Sequence, residues 1–305
     1  MIISKNQIII ISGPTAVGKT SIATELCKRI NGEIISADSR QVYKYLDIGT
    51  NKEGNFIDGI RYVDGIPQYL TDIIAPDQKY SAKNFETDAR KYVELILKKN
   101  KVPVITGGTG LYIKAFLYGL DELPDADENI RKEIEQIIKE KSLDYLYKLL
   151  YKVDEVSAIK NKGNYQRLIR AYEIYKITGK AMSELIRQNK DKNLHTVPFR
   201  HIVVTRDRGK LYSRINKRCE DMINGGMIEE TKKILDMGYA DDCYGLTGVG
   251  YKYIIRYLNN HISKKELINS FSQDTRRYAK RQITWFMHQQ DIEIINADDK
   301  QKIIL

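Results

Sequence analysis

"IIIISGPTAVGKTS", residues Ile8–Ser21, decides the fold. Four isoleucines are far short of the roughly 18 apolar residues that a membrane span needs, and they lead straight into glycine. That pattern is a buried strand entering a turn, not a signal peptide. Gly13, Gly18, Lys19 and Thr20 fit G-x-x-x-x-G-K-[ST]. In such a loop the backbone N–H groups face inward on a phosphate, and the following helix adds its positive end. The loop Gly13, Pro14, Thr15, Ala16, Val17, Gly18, Lys19 and Thr20 is therefore expected to wrap a diphosphate or the phosphates of a nucleotide such as ATP. Lys19 would contact the terminal phosphate, and the Thr20 hydroxyl would hold Mg²⁺. The competing reading is a structural glycine turn.

Outward from this loop, strand and helix alternate. Thr20–Arg29 reads as a helix stopped before Asn31-Gly32, and Glu33–Ala37 as a second strand. Phe85, Ala89, Tyr92, Val93, Ile96 and Leu97 recur at helical spacing. Val102–Thr106 is another buried strand, and "GGTG" at Gly107–Gly110 opens a helix through Leu111–Leu117. The rhythm predicts an α/β fold, a P-loop-containing parallel sheet flanked by helices. Ligands in such sheets sit beyond the carboxyl ends of the strands. The Gly13 loop, Asp38-Ser39 and Gly107–Thr109 should converge there.

After "GLDELPDADENIRK" the texture becomes helical: Ile130, Ile134, Ile137 and Ile138, then Leu143, Leu146, Leu149 and Leu150, then Tyr165, Leu168, Ile169 and Tyr172, with Gly179 as a helix stop. The expected organisation is a P-loop core, 1–119 and 194–305, interrupted by an all-helical insertion domain, 120–193. "HIVVTRD" from His201 rejoins the sheet, helices follow through Gln290, and "IEII" at Ile292–Ile295 closes as a strand.

The chain has 305 residues, enough for one large domain or two modest ones at about 150 residues each. Cys27, Cys219 and Cys243 lack metal-ligand spacing, as do His195, His201, His261 and His288. An odd set of cysteines suits a reducing cytoplasm. The net charge of +10 favours a polyanionic partner, unless it is merely a lysine-rich surface.

NTP hydrolases usually place an acidic residue after an apolar strand. Here "VPVITGGTG" ends in Thr106 and two glycines, and the carboxylate stands one strand over, as Asp38 in "EIISADSRQVYK". That arrangement suggests group transfer with diphosphate as the leaving group. Asp38 is then either a general base or a turn aspartate, since "ADS" is good turn chemistry. Basic residues cluster in three segments: Arg167 and Arg170 in "QRLIR", Arg214 and Arg218 in "LYSRINKRCEDMI", and Arg276, Arg277, Lys280 and Arg281 in "TRRYAKRQITWF". The basic rows suit RNA phosphates, whereas the Trp285 ring reads first as core.

Together these segments resemble the tRNA dimethylallyltransferase family, also called tRNA isopentenyltransferase. The matching stretches are "SGPTAVGKT", "IISADSRQVYKYLDIGT", "VITGGTGLYIKAFLYGLDELPDAD", "QRLIRAYEIYKITGK", "RCEDMINGGMIEE", "LTGVGYKYI" and "YAKRQITWF", in one order over nearly the whole chain. The resemblance implies transfer of a dimethylallyl group from dimethylallyl diphosphate to N6 of the adenosine at tRNA position 37, beside the anticodon. It implies that Thr15 to Thr20 grip the donor diphosphate with Mg²⁺, that Arg218 and, second, Arg214 add charge, that Thr109 lies near the acceptor amine, and that Asp38 takes the N6 proton. Implied contacts to the tRNA anticodon stem-loop are Asp38, Ser39, Arg40, Gln41, Thr109, Arg131, Gln166, Arg167, Leu168, Ile169, Arg170, Gly248, Gly250, Tyr251, Lys252, Arg276, Lys280, Arg281, Gln282 and Trp285.

The chain departs from the family pattern at Gly163-Asn164-Tyr165, where Asn-Asp is common, leaving a cap or RNA contact open there. Val17 replaces a common Ser. No Cys₂His₂ finger follows "IEII", as in the short bacterial form. The expectation is a cytoplasmic monomer with no membrane partner. The alternatives are an adenylate (AMP, ADP or ATP) isopentenyltransferase, a P-loop small-molecule kinase, and a non-enzymatic RNA-binding protein.

Overall fold

The computed structural model describes residues 7–188 and 198–304; His195 and the expected insertion end at Asn193 lie outside the described residues. The described residues form two compact units, 7–118 with 198–304 and, separately, 119–188.

In the first unit Ile8–Ser12 (β1) runs through the glycine loop into Lys19–Ile30 (α1), followed by Gly32–Ser36 (β2). Next come Asn55–Ile57 (β3), Ile60–Val63 (β4), Ile66–Tyr69 (β5), Ala82–Lys98 (α2), Val102–Gly107 (β6) and Gly110–Tyr118 (α3). The second unit carries Glu128–Glu140 (α4), Leu143–Val153 (α5), Glu155–Lys160 (α6), Tyr165–Thr178 (α7) and Met182–Gln188 (α8). The first unit resumes with Phe199–Thr205 (β7), Arg208–Met222 (α9), Ile228–Asp236 (α10), Tyr251–Leu258 (α11), Lys264–Met287 (α12) and Ile292–Asn296 (β8).

The eight strands form one sheet in the order β3-β4-β5-β2-β6-β1-β7-β8. From β5 to β8 every pairing is parallel. Side chains alternate across a strand, so the β-branched runs feed two cores at once. Ile9, Ile11, Ile34, Val104, Ile202 and Val204 pack on the side of α1 and α9. Ile8, Ile10, Ile35, Ile105 and Val203 pack on the side of α2 and α3. A sheet buried on both faces explains why these strands read as continuous apolar runs.

Three strands were not anticipated. β3, β4 and β5 form an antiparallel meander, with Ile57 paired to Ile60 and Val63 to Ile66. Asp58-Gly59 and Asp64-Gly65 make its turns, all four residues at positive φ, as two-residue primed turns require. β3 is the outer edge, and Phe56 and Ile57 on it are about half exposed.

The second unit has its own core, including Ile134, Leu146, Leu150, Ala158, Leu168 and Ala171. Its helices open on polar caps: Asp127 accepts from the Asn129 and Ile130 amides, and Asn164 accepts from the Arg167 amide at 3.1 Å. The cap left open at 163–165 is thus supplied by Asn164 itself. Gly179, at φ 68°, ends α7 as expected. No described helix is long and apolar enough to cross a membrane.

Candidate active site

At the carboxyl ends of β1, β2 and β6 the three expected segments meet. The Ala37 amide donates to the Thr106 carbonyl at 2.8 Å, and the Thr109 amide to the Ala37 carbonyl at 3.1 Å. The Thr109 hydroxyl accepts from the Ser39 amide at 2.9 Å. Asp38 accepts from the Arg40 amide at 2.8 Å, a side chain-to-backbone bond two residues on that shapes its own turn. The turn reading of Asp38 is therefore correct, and it does not compete with a second role: one carboxylate oxygen fixes the turn, and the residue still lines the cavity described next.

That cavity has a volume of about 440 Å³. Thr15, Ala16 and Gly18–Ser21 form its floor, Asp38–Gln41 and Thr106–Gly108 one side, and Arg214, Arg218, Tyr278, Arg281 and Gln282 another. Lys19 folds back on its own loop, donating to the carbonyls of Gly13 at 2.9 Å and Pro14 at 2.7 Å. Burial pulls the Lys19 ammonium down to about 7; Asp38 opposes that shift and Arg218 adds to it. Arg214 braces the loop from outside, donating to the Ala16 carbonyl at 2.9 Å. Burial also lowers the pKa of Arg218, against the charge of Glu53. The site is thus a partly dehydrated basin of cations with two carboxylates, Asp38 and Glu53, on its wall. Charge developing there would be felt strongly.

Several expected contacts have other employment. Gln282 is buried: its side-chain oxygen accepts from the Thr15 amide at 2.9 Å and its amide donates to the Gly108 carbonyl at 2.9 Å. It clasps two loops of the cavity together. Thr109 bonds to the Ser39 amide and hydroxyl and so supports the Asp38 turn. Gln41 is held by Ser36, Gln68 and the carbonyls of Thr50 and Asn51. Tyr251 is buried on Glu230, and Gly250 ahead of it, at φ 108°, starts α11 against Phe271. Trp285 packs on Gly110, where any side chain would strike the indole, and so belongs to the core as its first reading held.

Arg40 reaches the Tyr244 carbonyl and the Thr247 hydroxyl, and Gly248 follows directly on that turn. Lys252 pairs with Asp274 at 2.7 Å, and Arg276 with Asn216. Lys280 and Arg281 are exposed on α12, with the Arg281 guanidinium over the Tyr278 ring.

In the second unit, Arg131 and Arg170 both grip the fully buried Glu173, at 2.9 and 2.7 Å. Leu168 and Ile169 are buried in that unit's own core, so their side chains offer no surface to RNA; Gln166 and Arg167 are exposed. Sequence reasoning passed over Glu53, Thr275, Phe271 and Tyr278, all on the cavity wall. Of these, Thr275 and Tyr278 stand inside a segment singled out for its basic residues.

The Thr20 hydroxyl and the Asp38 carboxylate both stand on the cavity wall. Among the described residues no group of three or more His, Cys, Asp or Glu side chains could hold a metal. The available oxygen donors fit Mg²⁺ carried in with a diphosphate, since Mg²⁺ is usually held by one or two protein oxygens plus phosphate and water.

Residues 41–289 match the model of the family described as IPP transferase. The chain is 54% identical to the tRNA dimethylallyltransferase of Endomicrobium trichonymphae, over 95% of this chain and 94% of that one. It is 43% identical to that of Acetivibrio thermocellus, over 96% and 93%. Its structure is similar to the full-length tRNA isopentenylpyrophosphate transferase of Bacillus halodurans, with a TM-score of 0.69, 34% identity, and coverage of 98% of this chain and 94% of that one. It is also similar to a eukaryotic dimethylallyltransferase captured acting on tRNA, with a TM-score of 0.78, 26% identity, and coverage of 96% and 74%.

Proposed function

The chain belongs to the IPP transferase family, the tRNA dimethylallyltransferases, and from that premise we propose that its cavity moves a dimethylallyl group from dimethylallyl diphosphate to N6 of the adenosine at tRNA position 37. The observation that carries this reading is a single cavity whose wall holds both the phosphate loop, Thr15–Thr20, and Asp38.

An exocyclic adenine amine is a weak nucleophile, because its lone pair is delocalised into the ring. It needs orientation and a base within reach. Asp38 takes the N6 proton as the N6–C1 bond forms and the C1–O bond to diphosphate breaks. Negative charge then grows on the leaving diphosphate. Loop amides, Lys19, Arg218 and Arg214 stabilise it where it develops. Mg²⁺ held by Thr20 and the diphosphate would supply further neutralising charge. Thr109 acts one step back, holding the Ser39 amide and so the Asp38 turn. The adenine has to leave its stack to reach this basin, as base-modifying enzymes require.

Exposed Lys280 and Arg281 on α12, and exposed Gln166 and Arg167 on α7, are the proposed RNA contacts. The test incubates the protein with labelled dimethylallyl diphosphate and either unmodified tRNA or free AMP. Label in tRNA alone is expected. Label in AMP alone would select the free-nucleotide alternative, and steady ATP cleavage without RNA would select a kinase-like one.

A further inference from the structure

Three of the sequence motifs have parts that the chemistry above leaves unused: "DIGT" at Asp47–Thr50, "GGMIEE" at Gly225–Glu230, and "GVGYKYI" at Gly248–Ile254. They converge on one carboxylate. Between α9 and α10 the helix is interrupted by a π-turn, Ile223–Met227, with Gly226 at φ 106°. Such turns re-aim the helix that follows. Beyond it, Glu230 accepts from three consecutive backbone amides, Asp47 at 2.6 Å, Ile48 at 2.6 Å and Gly49 at 2.9 Å. It also accepts from the Tyr251 hydroxyl at 3.1 Å. Gly49 has no room for a side chain: a Cβ there would lie 2.2 Å from the Tyr251 oxygen.

The tethered loop does not end at Gly49. Its next residues, Thr50, Asn51 and Glu53, line the cavity. Glu53 also shares with Arg214, Lys217 and Arg218 a groove of about 490 Å³ that adjoins the cavity. The far side of the loop is fixed separately, by Lys52 on Asp72 and on the Tyr43 carbonyl, and by Arg61 on Asp72 and Asp47. Glu230 is different in kind. It joins the loop to α10, which the π-turn links to the helix that carries Arg218.

We propose that Glu230 is a positioning residue for donor binding: it sets the 47–53 loop beside α9 so that Glu53 and Arg218 line one groove next to the leaving diphosphate. This rests on the reading that Arg218 contacts that diphosphate.

The test uses the full chain with Glu230→Gln, which keeps the size but turns one acceptor oxygen into a donor facing amide donors. Loss of such bonds should raise the KM for dimethylallyl diphosphate about 5–20-fold while kcat and tRNA affinity stay within about twofold. Hydrogen exchange at the Asp47, Ile48 and Gly49 amides should quicken in parallel. Tyr251→Phe, which removes one hydroxyl, should raise the donor KM and quicken the exchange of the same amides more weakly, and serves if Glu230→Gln does not fold. Unchanged exchange, or quickened exchange with an unchanged donor KM, overturns the proposal. In an Arg218→Ala background the Glu230→Gln effect on KM should vanish; a fully additive effect also overturns it. A failure of the underlying reading looks different: Arg218→Ala alone would then leave donor binding and turnover as they were.

Discussion

Two pairs of arginines in this molecule are spaced to share a helix face or to meet on one partner, yet they do opposite work. Arg131 and Arg170 close on Glu173, a carboxylate with no exposure, and Arg170 adds the Pro124 carbonyl. Their charge is spent inside the unit 119–188. Arg214 and Arg218, four residues apart on α9, face a cavity and a groove whose lining they share with Glu53. Their charge is available to an incoming anion. Spacing places arginines together. Whether they serve folding or chemistry depends on whether a buried carboxylate is already in place to satisfy them.

The contrast can be broken, and the largest effects belong to the cavity. Asp38→Ala should slow transfer by about 10²–10⁴-fold with tRNA still bound, and Arg218→Ala by about 10²–10³-fold, the scale of removing one donor to developing negative charge. Single-turnover rates at saturating tRNA measure both, and near-normal turnover in either would remove that residue from the mechanism.

The next effect concerns pH. A diphosphate favours the charged form of Lys19, whose pKa burial pulls down to about 7. Above that value donor binding has to be accompanied by proton uptake, so affinity should weaken by up to about tenfold per pH unit as the pH rises from 7. Lys19→Met should bind more weakly throughout and lose this slope, which calorimetry in two buffers of different ionisation enthalpy would reveal.

The smallest effect belongs to the spent pair. Arg131→Ala leaves Glu173 with Arg170, so a cost of about 1–2 kcal/mol in stability is expected, read as a lowered unfolding midpoint. The salt dependence of tRNA binding should stay as in the unaltered chain. Lys280→Ala should do the reverse, keeping the midpoint and reducing the salt slope by about one. A shallower slope in Arg131→Ala would show that this arginine also touches phosphate.

Much of this was written locally. β1, the glycine loop and α1 follow from one contiguous stretch. The parallel strands β1, β2, β6 and β7 announce themselves because burial on both faces makes their runs largely apolar, whereas β8, at the sheet's edge and mostly exposed, shows only in its isoleucines. The helical run after Leu120 shows in its period. The meander β3–β5 carried its own signal in two Asp-Gly pairs, but its strands are only three or four residues long, too short for periodicity to reveal. In the site, the loop and Asp38 were legible because each is its own motif. The internal packing of Gln282, Tyr251 and Trp285 was not legible, because their partners, Thr15, Glu230 and Gly110, are distant in sequence. Glu230 meets its amides about 180 residues away, a relation that no local pattern encodes.

The outermost strand, β3, leaves Phe56 and Ile57 half bare beside unpaired backbone. An open strand edge of that kind invites another polypeptide to extend the sheet, which is how many proteins begin to aggregate. Here the invitation is brief. With Gly54 just ahead of it and Asp58-Gly59 turning the chain at its end, three residues of template give a foreign chain too few hydrogen bonds to hold on. The same tight turns that build the meander thus limit what its open edge can recruit.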